Sequence, residues 1–322
     1  MSKILAIFGA TGQQGSSVLN HVLRNPSLSQ QYKLRALTRN PTSEKALQFK
    51  EKVEVVAADV LDRASLEAAL QGVHTVFAMT TPLVGPGAPE GDIALEWEFE
   101  NAKRIADVAL AAGVKYFIFS TLPSVRDMSG GKYTAVTPFD AKAKAETYIR
   151  GLGPKMESAF FCPGSFMENF QAQFWIAPQR DADGTWTLAR PAAAGSRIPL
   201  IAAVDDSGKF VGRILEHPDK YVGKRLCAAA GRYSWEEIVR ALSKNTGERV
   251  VYKQIGYEHW KAMFPFAGQL FEEAFRYAEE FGGYYGQSEE HEVNWAIEEV
   301  GGRGELLSFE RFLDKYPFKL QS

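Results

Sequence analysis

Three glycines stand at G-x-x-G-x-x-G spacing in the run Gly9-Ala10-Thr11-Gly12-Gln13-Gln14-Gly15. The spacing alone says little, because the chain has 28 glycines. Its position says more: it follows the apolar run Lys3–Phe8 and precedes Ser16–Leu23, whose apolar residues recur at helical spacing. Between a strand and a helix, glycines permit a tight turn and close approach of the backbone to a pyrophosphate, whose charge meets free N–H groups and the positive end of the helix dipole. Thr11, Gln13 and Gln14 complete this dinucleotide loop. After the second apolar run, where an acidic side chain would hold the ribose hydroxyls of NAD, the chain has Thr38-Arg39-Asn40. An arginine suits a 2′-phosphate, so the expected cofactor is NADP(H). Asp59, followed by Val60, is placed after a third run either to receive the adenine amino group or to cap its own loop.

No other chemistry is as well marked. His21, His74, His217, His259 and His291 are scattered without metal spacing or an adjacent nucleophile, and Cys162 and Cys227 are too few for a disulfide framework or a cysteine zinc site, so no metal is expected. Asp205-Asp206, ahead of Gly208 and the run Phe210–Leu215, reads as an N-cap. Glu236-Glu237, Glu279-Glu280, Glu289-Glu290 and Glu298-Glu299 read as solvated helix faces.

The elements that must position the loop follow a regular order. Lys3–Phe8, Lys33–Thr38, Val53–Ala58, Thr75–Met79, Lys115–Ser120 and Ser158–Cys162 read as strands, and Ser16–Leu23, Ala64–Leu70, Ile93–Ala112 and Ala141–Arg150 as helices between them. This alternation implies right-handed crossovers and an α/β, doubly wound parallel sheet of the Rossmann type. Leu83–Asp92, Arg126–Pro138 and Pro178–Pro199 read as exposed loops, the first two at the carboxyl edge of the sheet where ligands bind. Ser234-Trp235-Glu236-Glu237 is a capping box opening a helix to about Lys244.

Aromatic residues number 12 in residues 1–150 and 27 in residues 151–322, so the second half is a different kind of structure. Such rings fill the core of a small appended α+β domain, line a pocket for a bulky apolar ligand, or do both. The expected division is a nucleotide-binding domain of residues 1–153, completed by about 198–232, and a smaller substrate or partner domain of residues 154–197 and 233–322.

Length and composition bound the alternatives. With 322 residues, 37 Lys+Arg against 39 Asp+Glu and a net charge of -2, the chain reads as an ordinary globular protein and not as a direct nucleic-acid binder. Its longest clean apolar run, Ile198 to Val204, is far too short for a membrane span, and Lys3 to Phe8 imitates a signal peptide without a cleavage region behind it. A cytoplasmic location is expected, with nuclear shuttling if the role is regulatory.

Together, Gly9–Gly15, Thr38-Arg39-Asn40-Pro41, Asp59-Val60, Thr80-Thr81-Pro82, Gly113-Val114-Lys115, Lys142 and Pro163-Gly164-Ser165-Phe166-Met167-Glu168-Asn169 resemble the NmrA-like family, an atypical branch of the short-chain dehydrogenase superfamily. The likeness continues through Ala203-Val204-Asp205-Asp206-Ser207-Gly208 and Phe281-Gly282-Gly283-Tyr284-Tyr285. The resemblance implies an NADP-preferring Rossmann domain with a small C-terminal domain over the nicotinamide. It also implies that Thr80, Thr81 and Pro82 line the nicotinamide ribose, and that Cys162, Pro163, Ser165 and Phe166 run past the ring.

Members of that superfamily typically reduce carbonyls with a Tyr-x-x-x-Lys pair, in which lysine holds the ribose and lowers the tyrosine pKa while tyrosine donates the proton. Here Lys142 is present, but four residues earlier stands Pro138, which has no proton to give. The one formal match, Tyr257 to Lys261, lies far downstream in an amphipathic segment with Trp260. Candidate replacements are Tyr133 in the Arg126–Pro138 loop and Ser120 at a strand end, with Thr121 and Ser124 beside it; Glu168 and Asn169 face the cleft or serve as structural hydrogen-bonding groups. Two functions follow. One is an NADP(H)-dependent enzyme acting on a bulky, aromatic small molecule by reduction, or by isomerisation or cyclisation with NADP as scaffold. The other is a catalytically inactive NADP(H) redox sensor that regulates a transcription factor or another protein.

Overall fold

The computed structural model describes residues 2–172, 176–264 and 266–320. Its first half is β1 (Lys3–Ile7), α1 (Gln13–Arg24), α2 (Pro26–Gln31), β2 (Tyr32–Thr38), α3 (Glu44–Leu47), β3 (Glu54–Ala57), α4 (Arg63–Ala69), β4 (Thr75–Ala78), α5 (Gly91–Ala111), β5 (Tyr116–Ser120), α6 (Val125–Met128), α7 (Thr137–Leu152) and β6 (Glu157–Pro163). Then come β7 (Ser165–Phe166), α8 (Asn169–Ala172), β8 (Gln179–Arg180), β9 (Trp186–Arg190), β10 (Arg197–Ile201), α9 (Ala203–Glu216), α10 (Pro218–Tyr221) and β11 (Arg225–Ala228). The chain closes with β12 (Gly231–Ser234), α11 (Trp235–Thr246), β13 (Val250–Gln254), α12 (Tyr257–Ala262), α13 (Gly268–Glu280), α14 (Glu289–Glu299) and α15 (Phe309–Lys315).

Seven parallel strands form one sheet in the order β11-β6-β5-β4-β1-β2-β3. β4 and β5 are buried along their whole length, as strands covered on both faces must be. The order reverses between β1 and β4, and that switch point opens a crevice at the carboxyl ends where the glycine loop sits. Within residues 198–232, α9 and β11 join this layered body, while β10 and β12 form a separate sheet with β7.

α9 lies directly on α1. Gly208 and Gly212, one helical turn apart, let the two helices meet: a Cβ on Gly208 would overlap the Ser17 carbonyl oxygen and lie 2.6 Å from His21 Cβ, and one on Gly212 would overlap the His21 ring. Ser17 Oγ accepts the Gly208 N–H at 2.9 Å. Burial at this seam pulls the His21 pKa down, so the ring packs as the neutral imidazole.

Three readings are corrected by the structure. Pro178–Pro199 is not an open loop, because it contains β8 and β9, with Trp186 and Leu188 buried. β9 finds its ladder in β13, some sixty residues away, a pairing that local Gly, Pro and Ala content conceals. Asp205 and Asp206 stand in the first turn of α9 rather than at its cap, and Asp206, fully buried, pairs with Lys209 and accepts the Leu307 N–H. The cap comes instead from Glu168, whose carboxylate accepts the Ala203 and Val204 amides at 3.0 and 2.9 Å. Glu289 is buried rather than solvated, held by Arg232 at 2.7 Å and by the Tyr285 N–H at 2.9 Å. The Ser234 capping box is present as read.

Much of the ring surplus fills core. Trp235 stacks on Tyr252, while Trp260 packs edge-on against Phe264 and Phe275. Among the described residues, no helix is long and apolar enough to cross a membrane.

Candidate nucleotide site

The loop after β1 is built for close approach. Gly9 takes φ +58, a left-handed conformation that disfavours side chains, and the Gly12 N–H donates back to its carbonyl at 2.8 Å. A Cβ on Gly15 would overlap the Gly9 carbonyl and lie 2.7 Å from the Phe8 oxygen, so α1 can pack on the turn only with glycine there. Gly12 caps α1 without a side-chain acceptor, and no acidic residue lies in the first turn. Among the described residues, nothing accepts the Gln13, Gln14 and Gly15 amides, and the buried Oε1 of Gln14 is also unpartnered. Three open N–H groups at the positive end of a twelve-residue helix suit an anion.

A Cβ on Gly12 would lie 3.3 Å from the Gly9 carbonyl oxygen, a tight contact that asks the loop to give by a few tenths of an ångström. Gly12→Val is therefore expected to keep the fold but abolish both NADP and NAD binding, because its branches occupy the space a pyrophosphate must enter. Calorimetric titration beside circular dichroism checks this, and unchanged affinity would remove the loop from the site.

Arg39 follows β2, is exposed, and makes no ion pair or hydrogen bond among the described residues. Beside it, Asn40 Oδ1 accepts from Thr42 N at 3.0 Å and Thr42 Oγ1 at 2.7 Å, pinning the turn that presents the guanidinium. Asp59 accepts the Leu61 N–H at 2.9 Å through Oδ1, a local loop cap that leaves its second oxygen without a partner among the described residues. The Val60 carbonyl is held by Arg104 of α5 at 2.9 Å.

At the other side of the crevice the structure joins Thr80, Lys142 and a residue that sequence reasoning missed. Glu98 of α5 is buried, Thr80 Oγ1 donates to its Oε1 at 2.6 Å, and Lys142 Nζ donates to the same oxygen. The signal was present: Ala94, Leu95, Glu98, Ala102 and Ile105 share the buried face of α5, and a carboxylate in that stripe requires a partner. Thr81 is exposed and Pro82 half-buried beyond Thr80. Pro138 occupies the first turn of α7, where a missing N–H is tolerated.

The replacement hydroxyls do not converge equally. Ser120, buried at the end of β5, precedes Thr121, whose Oγ1 is 3.4 Å from the Lys142 carbonyl. Tyr133 instead packs against Phe281 and donates 2.7 Å to Glu280, with burial and that carboxylate raising its pKa. Ser124 caps α6 and leans on Asp140, which also accepts the Arg126 N–H at 2.9 Å. Tyr257 and Lys261 are no catalytic pair, because Tyr257 donates to Glu279 and Lys261 is held by Gln269 and Glu272.

The end of β6 carries Cys162, Pro163, Ser165 and Phe166 past the carboxyl edge of β5. Gly164 permits a close pass, since a Cβ there would lie 2.6 Å from the Pro199 carbonyl. The Cys162 thiol is fully buried opposite Cys227, burial pushing its pKa up, while Tyr285 donates to the Cys162 carbonyl at 2.9 Å. Tyr284 packs edge-on against Phe139, one residue after Pro138, so the C-terminal segment reaches the start of α7. Ser165 and Phe166 are half-buried and form β7.

Residues 1–307 match the NmrA-like family. The chain belongs to that family. A curated relative, the NmrA-like family domain-containing oxidoreductase FrzB of Cladobotryum sp, is 31% identical over 317 residues, covering 92% of this chain and 90% of its own. Among solved structures, NmrA, described as a negative transcriptional regulator, superposes with a TM-score of 0.76 at 20% identity, over 97% of this chain and 94% of its own. NmrA has been solved with NAD and with NADP. The triphenylmethane reductase of Citrobacter sp., solved with NADP(H), gives a TM-score of 0.72 at 16% identity, over 98% and 99% of the two chains. At those identities the structural likeness establishes the Rossmann-type fold of this NmrA-like chain.

Proposed function

We propose that this NmrA-like protein binds NADP(H) and reduces a bulky, aromatic small molecule. The observation that carries the reading is the pairing of an open glycine cradle with an unpaired Arg39 at the end of β2. NADP fits these residues: the α1 amides would hold the pyrophosphate, Arg39 the 2′-phosphate, and Asp59 the adenine amino group. Thr80 and Lys142 would hold the nicotinamide ribose, beside Thr81, Pro82 and the Cys162–Phe166 strip. When bound in its reduced form, the nicotinamide supplies a hydride.

The protein's own work is then to orient and to manage a proton. Glu98 fixes Lys142 and Thr80 before any nucleotide arrives, so neither side chain has to be ordered on binding. With Pro138 unable to donate, Ser120 and Tyr133 are the hydroxyls proposed for proton delivery. Burial and the Glu280 carboxylate raise the Tyr133 pKa, which makes its phenol a weaker acid than a free tyrosine, so delivery from it requires its hydrogen bond to Glu280 to open. The names of relatives such as FrzB and the oxidoreductase ptmS of Penicillium ochrochloron support an oxidoreductase role.

Titration calorimetry with NADP, NADPH, NAD and NADH tests the cofactor assignment. Binding of NADP(H) at least about 10-fold tighter than NAD(H) is expected. Equal affinities would overturn the 2′-phosphate assignment, and absence of any binding would overturn the reading as a whole.

Glu98→Gln is expected to lower stability by about 3 kcal/mol, because Lys142 would stay buried without its counter-charge. The same variant should weaken NADP(H) several-fold. Denaturant unfolding and calorimetry check the pair of effects; wild-type stability and affinity would show that Glu98 positions nothing.

Pro138 favours one second reading, a redox sensor that regulates a protein partner, since such a device needs no acid. It requires a partner whose affinity differs between the NADP- and NADPH-loaded protein. Equal partner affinity in both states would dismiss it.

A further inference from the structure

Outside the nucleotide crevice, the small sheet β13-β9-β8 carries a charge that the proposed reaction does not use. Arg190, the last residue of β9, is only 3% exposed, yet no carboxylate pairs with it among the described residues. Its Nη1 donates to the Ala189 carbonyl at 2.6 Å and its Nη2 to the Ile176 carbonyl. The guanidinium lies 5.3 Å from the centre of the Trp235 ring and 5.1 Å from that of Trp260. Two carbonyls and two ring faces soften the desolvation of this cation but do not neutralise it. Burial lowers its pKa to about 10, so it keeps its charge at neutral pH.

Arg190 also borders a cavity of about 340 Å³. Lys253 and His259 stand on the exposed rim, and neither makes an ion pair or hydrogen bond among the described residues. Ile255 and Met263 add apolar wall, as in pockets for small organic molecules. Among the described residues of the wall Asp181 is the one acid, and its Oδ2 already accepts the Thr187 hydroxyl at 2.8 Å. A fixed negative charge there disfavours a dianion more than a monoanion.

We propose that this cavity binds a small aromatic carboxylate, its charge met by Arg190 and Lys253 and its ring by the apolar wall. The planar fork of arginine suits a carboxylate, and Lys253 adds attraction at the mouth. The site is separate from the nucleotide crevice, and the inference does not depend on the nucleotide reading.

The test is calorimetric titration of the full-length protein with benzoate at low salt, in the absence of nucleotide and again with saturating NADP, beside a parallel titration with inorganic phosphate. Saturable benzoate binding is expected, tighter than phosphate and not displaced by NADP. Arg190→Met, which keeps an apolar stem between the two indoles, should weaken benzoate about 10-fold or more, and Lys253→Ala about 2- to 5-fold. Circular dichroism establishes whether Arg190→Met is folded; if it is not, Lys253→Ala decides alone, since its side chain is exposed. No saturable binding to the wild type, displacement by NADP, tighter phosphate binding, or an affinity unchanged in Lys253→Ala and in folded Arg190→Met would each overturn the proposal.

Discussion

Replacing Arg39 by alanine is expected to weaken NADP binding by about 10- to 100-fold while leaving NAD binding nearly unchanged, the loss matching one or two charge-assisted hydrogen bonds of about 1.5–3 kcal/mol. The selectivity follows from what Arg39 does not do. It is exposed and holds no carboxylate or carbonyl among the described residues, so its removal breaks nothing in the fold. Only a ligand bearing a 2′-phosphate should register the change. The experiment is calorimetric titration of wild type and variant with both nucleotides, and equal losses for NADP and NAD would show that Arg39 does not read the 2′-phosphate. The control matters because NmrA itself has been solved with either nucleotide, so the fold does not discriminate between them.

Gly208→Ala should produce the largest loss of stability, about 3 kcal/mol or more. The new methyl would meet the Ser17 carbonyl, a backbone atom with no rotamer to yield, together with His21 Cβ at 2.6 Å. Relief requires α9 to move away from α1, and α1 begins at the glycine loop. Nucleotide affinity should therefore fall with stability. Denaturant unfolding monitored by circular dichroism measures the first effect; a variant as stable as the wild type would show that the two helices are not in the contact described. Alanine at Gly195, where a Cβ meets nothing within 4 Å, is the natural control.

The doubly wound sheet was legible because its signals are local. Apolar runs alternating with helical periodicity marked all six strands from β1 to β6 and the four long helices between them, and Gly9 to Gly15 announced the loop by standing between β1 and α1. The Ser234 capping box was legible for the same reason, since both of its hydrogen bonds close within four residues. Where an element depends on distant residues, local sequence does not reveal it. β9 reads as loop along the sequence because its ladder lies in β13. Asp205 and Asp206 read locally as a cap, but the true acceptor, Glu168, arrives from the turn between β7 and α8. Glu289 reads locally as part of a solvated face, whereas Arg232 meets it from β12.

The same division holds at the candidate site. By itself the sequence determined the order of elements, the glycine loop, the arginine after β2 and the absence of an acid at Pro138, because each is a matter of residue type at a position along the chain. Only the tertiary structure decided that Thr80, Glu98 and Lys142 share one buried carboxylate oxygen, that Tyr133 is committed to Glu280, and that Arg190 is buried between two indoles without a counter-charge. The physical reason is that the partner of a buried charge is chosen by packing across separations of 44 and 147 residues in the first two cases, and no local pattern encodes which side chains those contacts bring together.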